Sequence, residues 1–421
     1  MTRSLHFTLL ALAFLIFFGC SHTLPVNHTP VEPDINAKRK LVVFLDGTHN
    51  DESSHTNIAK LHNLVTLQDR TDIHTTYIVG VGTGLKVIGM GMGWGIGKDV
   101  REAYLFLARN YRPERGDEIH LFGFSRGAYA ARILAGLLYT VGIPDLQSIP
   151  EADQMDFIED IYSAFKGDMS VAERRREVQQ ETGLTPKPVT VRFMGLWDTV
   201  EALGWPDYEE NFIDPNLNYV DQLCNVDKAA HAVSIDDDRA RIFTPILLTH
   251  GHLVENCKEK DINDVVEEVW FAGAHADIGG GYNDTDINGV SFNWMLDQIG
   301  PYGLVPKNTR VYADPYGRTH DPESGWFRFI YRNRNRNLAA YALPIHNKGK
   351  LKMHQSVFDR LGKACRQSFE FDWQKSEFAK CFDFSSNNGA IHYLEEKQCF
   401  DVIDYKQPPP LRNGFCPPCA P

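Results

Sequence analysis

Apolar runs of strand length alternate with helical patterns through most of the chain. Residues 40–45, KLVVFL, form an unbroken apolar run that stops at Asp46-Gly47-Thr48. Residues 74–84, HTTYIVGVGTG, repeat the design, with β-rich residues followed by Gly80, Gly82 and Gly84. In residues 98–111 the apolar positions Val100, Ala103, Tyr104, Leu107 and Ala108 form a 3.6-residue stripe, which predicts an amphipathic helix. Just before it, residues 89–97 carry glycine at every second position, with Met90, Met92, Trp94 and Ile96 between. That stretch reads either as an apolar loop or as a tight entry into the helix. A turn at 113–116, a strand at 117–124 (DEIHLFGF) and a helix opening at Arg126 come next. Residues 145–183 are acidic and helical in pattern, an insertion rather than a core element.

Three more strands are predicted: residues 187–198, residues 241–252 (RIFTPILLTHGH) and residues 264–273. Six strands separated by helical segments spell an α/β fold, a doubly wound, mostly parallel sheet covered by helices on both faces. Beyond about Tyr341 the pattern turns irregular. Residues 344–421 read as a cysteine-containing accessory segment closing over a domain of residues 40–343.

Composition narrows the class. The 421 residues are 43% hydrophobic and 23% charged, as in a globular protein with ample core material. The net charge is −12 and the chain has no long basic run. Arg174-Arg175-Arg176 sits among glutamates and reads as the solvated face of a helix. A nucleic-acid partner is disfavoured, because phosphate binding needs a concentrated positive surface.

The first residues are a targeting signal in pattern. Arg3 precedes an apolar run at residues 9–18, about half of what spans a bilayer, so a secretory signal is predicted over a transmembrane helix. The run ends in Phe18-Gly19-Cys20-Ser21, which resembles the bacterial lipoprotein signal. On that reading residues 1–19 are removed, Cys20 is acylated, and residues 20–39 form a polar tether. The protein is then expected in the bacterial cell envelope, membrane-anchored and facing the periplasm. A plain cleaved signal, with Cys20 a bystander, is the alternative. Seven other cysteines remain: Cys224, Cys257, Cys365, Cys381, Cys399, Cys416 and Cys419. An odd number leaves at least one free or bonded to another chain. Cys416 and Cys419 have redox-motif spacing, but among prolines, where a structural bridge is the simpler account.

Four polar residues stand at predicted strand ends: Asp46, Ser125, Asp198 and His275. In doubly wound sheets that rim holds ligands. Ser125 lies in Gly123-Phe124-Ser125-Arg126-Gly127, between a strand and a helix, the setting of a nucleophile elbow. A serine hydroxyl needs a base, and the base needs an acid to orient it. Asp198 and His275 follow in the order such hydrolases use. Asp198 as a helix cap, and His250, His252 or His354 as the base, are the competing assignments. The N–H groups of Arg126, Gly47 and Thr48 fit an oxyanion hole. Asp46 either organises that loop or caps it.

The motifs LVVFLDGTHND, GVGTG, WGIGKDVREAYLFLARNY, GDEIHLFGFSRGAYAAR, FMGLWDTVEALG and VWFAGAHADIGGGY resemble, in order, an α/β-hydrolase family. That family includes the catalytic domains of type VI secretion phospholipase effectors. The resemblance spans about residues 40–343 and implies a Ser–Asp–His triad at Ser125, Asp198 and His275, acting on lipid or other ester bonds without cofactor or metal. His49 departs from it, since tryptophan is common there, and so does the export signal. Two other readings stay open on sequence alone. One is a membrane-anchored lipoprotein that keeps the hydrolase fold only for binding. The other is metal-dependent hydrolysis by His275 and Asp277 with His250 and His252.

Overall fold

The computed structural model describes residues 25–29, 37–47, 50, 53–80, 92–200, 222–239, 243–249, 257, 260–283, 286–322, 335–344, 347–363 and 370–408. Its strands are β1 (Val26–His28), β2 (Lys40–Leu45), β3 (Ile73–Ile78), β4 (Glu118–Phe124), β5 (Phe193–Trp197), β6 (Ala229–Ser234), β7 (Val266–Phe271), β8 (Leu351–His354), β9 (Phe382–Asp383), β10 (His392–Tyr393) and β11 (Phe400–Ile403). One sheet runs in the order β1-β3-β2-β4-β5-β6-β7-β8-β11. Every pairing from β3 to β11 is parallel, and β1 alone is antiparallel. The mostly parallel α/β architecture is therefore the one that the apolar pattern spells.

Alternation along each strand divides the core. Leu41, Val43 and Leu45 of β2 face one layer, with the helices α2 (Met92–Asn110), α3 (Arg126–Thr140) and α4 (Gln154–Phe165). Val42 and Phe44 face the other, with α1 (Asn57–Thr66) and α8 (Asn288–Ile299). A strand covered on both faces is apolar throughout, which is why β2 reads as a run rather than as an alternation.

Four expectations change. Residues 243–249 form no strand, although they are apolar: Pro245 lacks a ladder donor, and the carbonyls of Ile246 and Leu247 accept from the buried Arg132 guanidinium. The strand at that place in the order is β6, whose AAHAVS sequence is too rich in alanine to announce itself. Arg174 is not on a solvated face. It is 1% exposed, and its guanidinium donates to the carbonyls of Phe165, Gly167 and Met169, closing the end of α4 against α5 (Val171–Thr182). Lastly, the segments at both ends of the predicted domain enter the sheet: β1 from the tether, β8 and β11 from the accessory segment.

Two disulfides link Cys224 to Cys257 and Cys381 to Cys399; Cys20, Cys365, Cys416 and Cys419 lie outside the described residues. No helix among the described residues is long and apolar enough to cross a membrane.

Buried histidines lie in and against the sheet, among them His62 on α1, His74 in β3 and His354 at the end of β8. Burial lowers His62 and His74 to about 4, with lesser repulsion from His28 and Arg39 respectively, and lowers His354 to about 3. These folded values lie below the ordinary 6.5, so under that pH the unfolded chain binds more protons than the folded one. The stabilisation is complete above about pH 6.5 and is lost as pH falls toward 4 and then 3. Urea midpoints should accordingly be lower at about pH 5 than at about pH 7.5. A midpoint that does not move would contradict the burial of these rings as neutral groups.

Candidate active site

β4 ends at Phe124 and α3 begins at Arg126, so Ser125 alone makes the turn. Its backbone sits at φ 59°, ψ −125°, a conformation that L-residues avoid and that marks functional turns. The two glycines around it allow close packing. A Cβ on Gly123 would lie 2.5 Å from Ala128 Cα, and one on Gly127 would lie 2.2 Å from the Leu45 carbonyl oxygen. Helix α3 thus starts directly against the backbone of β2. Gly127→Ala should destabilise the fold by about 1–3 kcal/mol through overpacking, despite alanine's better helix propensity. Its urea midpoint is the check, and a value at or above wild type would contradict this packing.

The neighbouring strands end in register with that turn. Ser125 N–H donates to the Trp197 carbonyl (3.0 Å), and Asp198 N–H to the Ala232 carbonyl (2.8 Å), so the ladder runs one residue beyond β4 and β5. Asp198 then turns at φ 34° and is fully buried. It caps no helix. Its Oδ1 accepts from Ser234 N–H (2.9 Å), and its Oδ2 lies 2.6 Å from His275 Nδ1.

His275 opens the short helix α7 (His275–Gly279) after β7. Its own N–H donates to the Asp237 carboxylate at 3.1 Å. Its ring lies 4.6 Å, centroid to centroid, from the ring of Phe124, the residue before Ser125. Gly279 makes this approach possible: a Cβ there would fall 2.0 Å from the Phe124 ring. Phe243 meets the other side of the imidazole edge-on at 4.8 Å. The structure thus joins Asp198 to His275 and seats His275 against the strand end that carries Ser125.

On the opposite flank, a Cβ on Gly47 would lie 3.3 Å from Ser125 Cβ and 2.9 Å from Asn50 Nδ2. The loop expected to hold an oxyanion is therefore beside the serine. Gly47 departs from its expected part, because its N–H donates inward to Asp46 Oδ1 at 2.6 Å. Asp46 also accepts from Thr56 Oγ1 and the Tyr77 hydroxyl, and so organises the loop. Thr48 and His49 lie outside the described residues. Arg126 follows Ser125 directly, at the first position of α3.

The competing histidines have other surroundings. His354 caps α9 (Gln355–Gly362) by accepting from Ser356 N–H, and stacks on Phe271 at 4.8 Å. His250 and His252 lie outside the described residues. Asp277, the acid of the metal-dependent alternative, holds His320 Nδ1 at 2.7 Å and accepts from Ala274 N–H.

Residues 39–298 match the model of the catalytic domain of Tle1-like phospholipase effectors of the type VI secretion system. The chain belongs to this family. A curated relative of this Tle1-like chain, an uncharacterised protein of Saccharomyces cerevisiae, is 26% identical over 253 residues, covering 52% of the chain and 36% of the relative. Among solved structures, an uncharacterised Pseudomonas aeruginosa protein is similar at 18% identity and a TM-score of 0.33, over 62% of this chain and 45% of that one. The Tle1 effector bound to the VgrG spike gives 23% and 0.31, over 61% and 52%. An esterase of Thermogutta terrifontis with butyrate bound gives 14% and 0.37, over 68% and 91%. The Tle1-like chain thus spans about a third of the curated relative and about half of the first two structures.

Two groups of the site carry no sequence motif. Arg336 places its fork on Asp198, with Nη1 at 2.8 Å from Oδ1 and Nη2 at 3.0 Å from Oδ2. Burial alone would raise the Asp198 carboxyl, but Arg336 and the His275 hydrogen bond outweigh it and hold it well below the carboxylate range. Beneath the Asp198 turn, His231 Nε2 accepts from Thr199 N–H at 3.1 Å, while His231 Nδ1 lies 2.8 Å from Glu268. A Tle1-like sequence shows these side chains only as an arginine among asparagines and as polar residues inside apolar strands.

Proposed function

We propose that this Tle1-like chain is a serine hydrolase of carboxylic esters, with lipid esters as its substrate class. Ser125 Oγ, giving its proton to His275 Nε2, attacks the acyl carbonyl. His275 then passes that proton to the leaving alcohol, and an acyl-enzyme forms at Ser125. Water, deprotonated by the same imidazole, releases the acid. Asp198 holds His275 with Nδ1 protonated, so that Nε2 faces the serine. The developing oxyanion is received by Arg126 N–H and by Thr48 N–H of the adjoining loop, since the Gly47 N–H is held by Asp46. The observation that supports this most is the 2.6 Å Asp198–His275 contact at the strand ends next to the Ser125 elbow.

A second part of the proposal concerns place. Acylation of Cys20 would tie the protein to the bacterial envelope, facing the periplasm. Val26 is six chain steps from Cys20, a reach of at most about 21 Å, so the β1 edge of the sheet would lie close to the bilayer.

The test is covalent labelling. A fluorophosphonate should modify the purified protein at Ser125, identified by peptide mapping, and Ser125→Ala should take no label. A folded wild-type protein that is not labelled would overturn the hydrolase reading in favour of a binding module. Lipid profiling with the same two proteins would then define head group and acyl length.

A further inference from the structure

Asp198 is paired to two different segments of the chain. His275 comes from the end of β7, inside the family-matched residues 39–298. Arg336 comes from beyond them, ahead of β8. Its Nη1 donates to Asp198 Oδ1 and the Ser234 carbonyl, its Nη2 to Asp198 Oδ2 and the Phe243 carbonyl. The same guanidinium therefore fixes the carboxylate, the end of β6, and the residue whose ring packs on His275.

Besides Asp198, buried carboxylates lie close to His275: Asp236 accepts from Gly273 N–H and Phe371 N–H, and Asp237 lies under the His275 N–H. Asp237, which accepts the His275 N–H, is matched by Arg239, whose Nε lies 3.0 Å from its Oδ1. Arg239 also covers the Phe243 ring at 3.5 Å. On α7 itself, Asp277 is engaged by His320, which stacks on Tyr282. Among the described cations, Arg336 is the one paired with Asp198, and it also acts on Asp237.

We propose that Arg336 is a positioning residue: it locks the Asp198 carboxylate onto His275 Nδ1 and offsets its charge, so that the segment after the matched domain completes the site and sets the pH at which His275 works. This rests on the serine-hydrolase reading. An arginine is charged at every accessible pH and presents a rigid fork that matches both carboxylate oxygens. A carboxylate so matched stabilises a neighbouring imidazolium less than a lone one does.

The experiment compares wild type, Arg336→Gln and Arg336→Lys by kcat/KM against pH with a short-chain p-nitrophenyl ester. Histidine-ring NMR follows His275 in the same proteins, without substrate. In Arg336→Gln the acid limb should move upward by about one pH unit, because the carboxylate left without its cation stabilises the neighbouring imidazolium more strongly. The His275 resonances should change over the same higher range, and kcat/KM at its optimum should fall about tenfold or more. Arg336→Lys keeps the charge but not the fork, so it should lose rate while its acid limb stays at the wild-type position. A folded Arg336→Gln protein with an unmoved limb and unmoved resonances overturns the inference. So does a lysine variant whose limb moves as far as glutamine's, and so does failure of both variants to fold, which would make Arg336 a folding residue only. If wild type shows no Ser125-dependent turnover, the hydrolase reading fails by itself, and the NMR comparison still decides whether Arg336 controls His275.

Discussion

Ser125→Ala is expected to lower kcat for ester hydrolysis by about 10^4- to 10^6-fold, the range found when a triad nucleophile is removed. No other described side chain at this elbow offers an oxygen in its place. The substitution removes one hydroxyl and leaves the turn intact. Its φ of 59° is imposed by packing of α3 against β2 and β4, not by the serine oxygen, and Ser125 makes no side-chain cap to its helix. The variant should therefore fold with a urea midpoint near wild type, so that lost turnover reports chemistry and not stability. Steady-state kinetics with p-nitrophenyl butyrate, with both proteins prepared in parallel, is the measurement. Activity retained within tenfold would refute Ser125 as nucleophile.

Asp198→Asn is expected to cost about 10^4-fold in kcat, for a different reason. An asparagine can present its NH₂ to His275 Nδ1 and stabilise the wrong tautomer, leaving Nε2 protonated and unable to act as base. This variant should also lose stability, because Arg336 would be left as a buried charge without its partner. Removing one member of a buried ion pair typically costs about 3–5 kcal/mol. The two variants thus form a contrast: Ser125→Ala loses activity alone, whereas Asp198→Asn loses activity and lowers the unfolding midpoint. Equal midpoints for the two would show that Asp198 and Arg336 are not paired in solution. Acid should act in the same direction. Asp198 is held below its ordinary range, so its contribution is present above about pH 3.9 and disappears only on protonation below that.

Much of the fold and part of the site follow from local rules. β2, β4, β5 and β7 are legible because burial on both faces makes most of their positions apolar, although β4 carries His120 and β7 carries Glu267 and Glu268. The Ser125 elbow is legible because two backbones approach within van der Waals distance, and only glycine at positions 123 and 127 permits it. His275 is legible from the glycines after it, one of which lets the Phe124 ring lie against the backbone. The misread segments share one cause. Residues 243–249 are apolar for packing but give their carbonyls to Arg132 and the Leu248 N–H to Glu268. Nothing in their own pattern shows that these groups are taken. The opposite holds for β6, whose small residues are unremarkable until β5 and β7 fix them between two ladders.

The chain's order of residues determined most of the strands and helices and the strained turn at Ser125, since each depends on neighbours a few positions away. Tertiary structure alone decided which arginine faces Asp198, which acid faces the buried His231, and that strands before and after the family-matched region join its sheet. Those choices pair groups up to 138 residues apart. They are settled by which buried charges and hydrogen-bonding groups must find partners once the layers close.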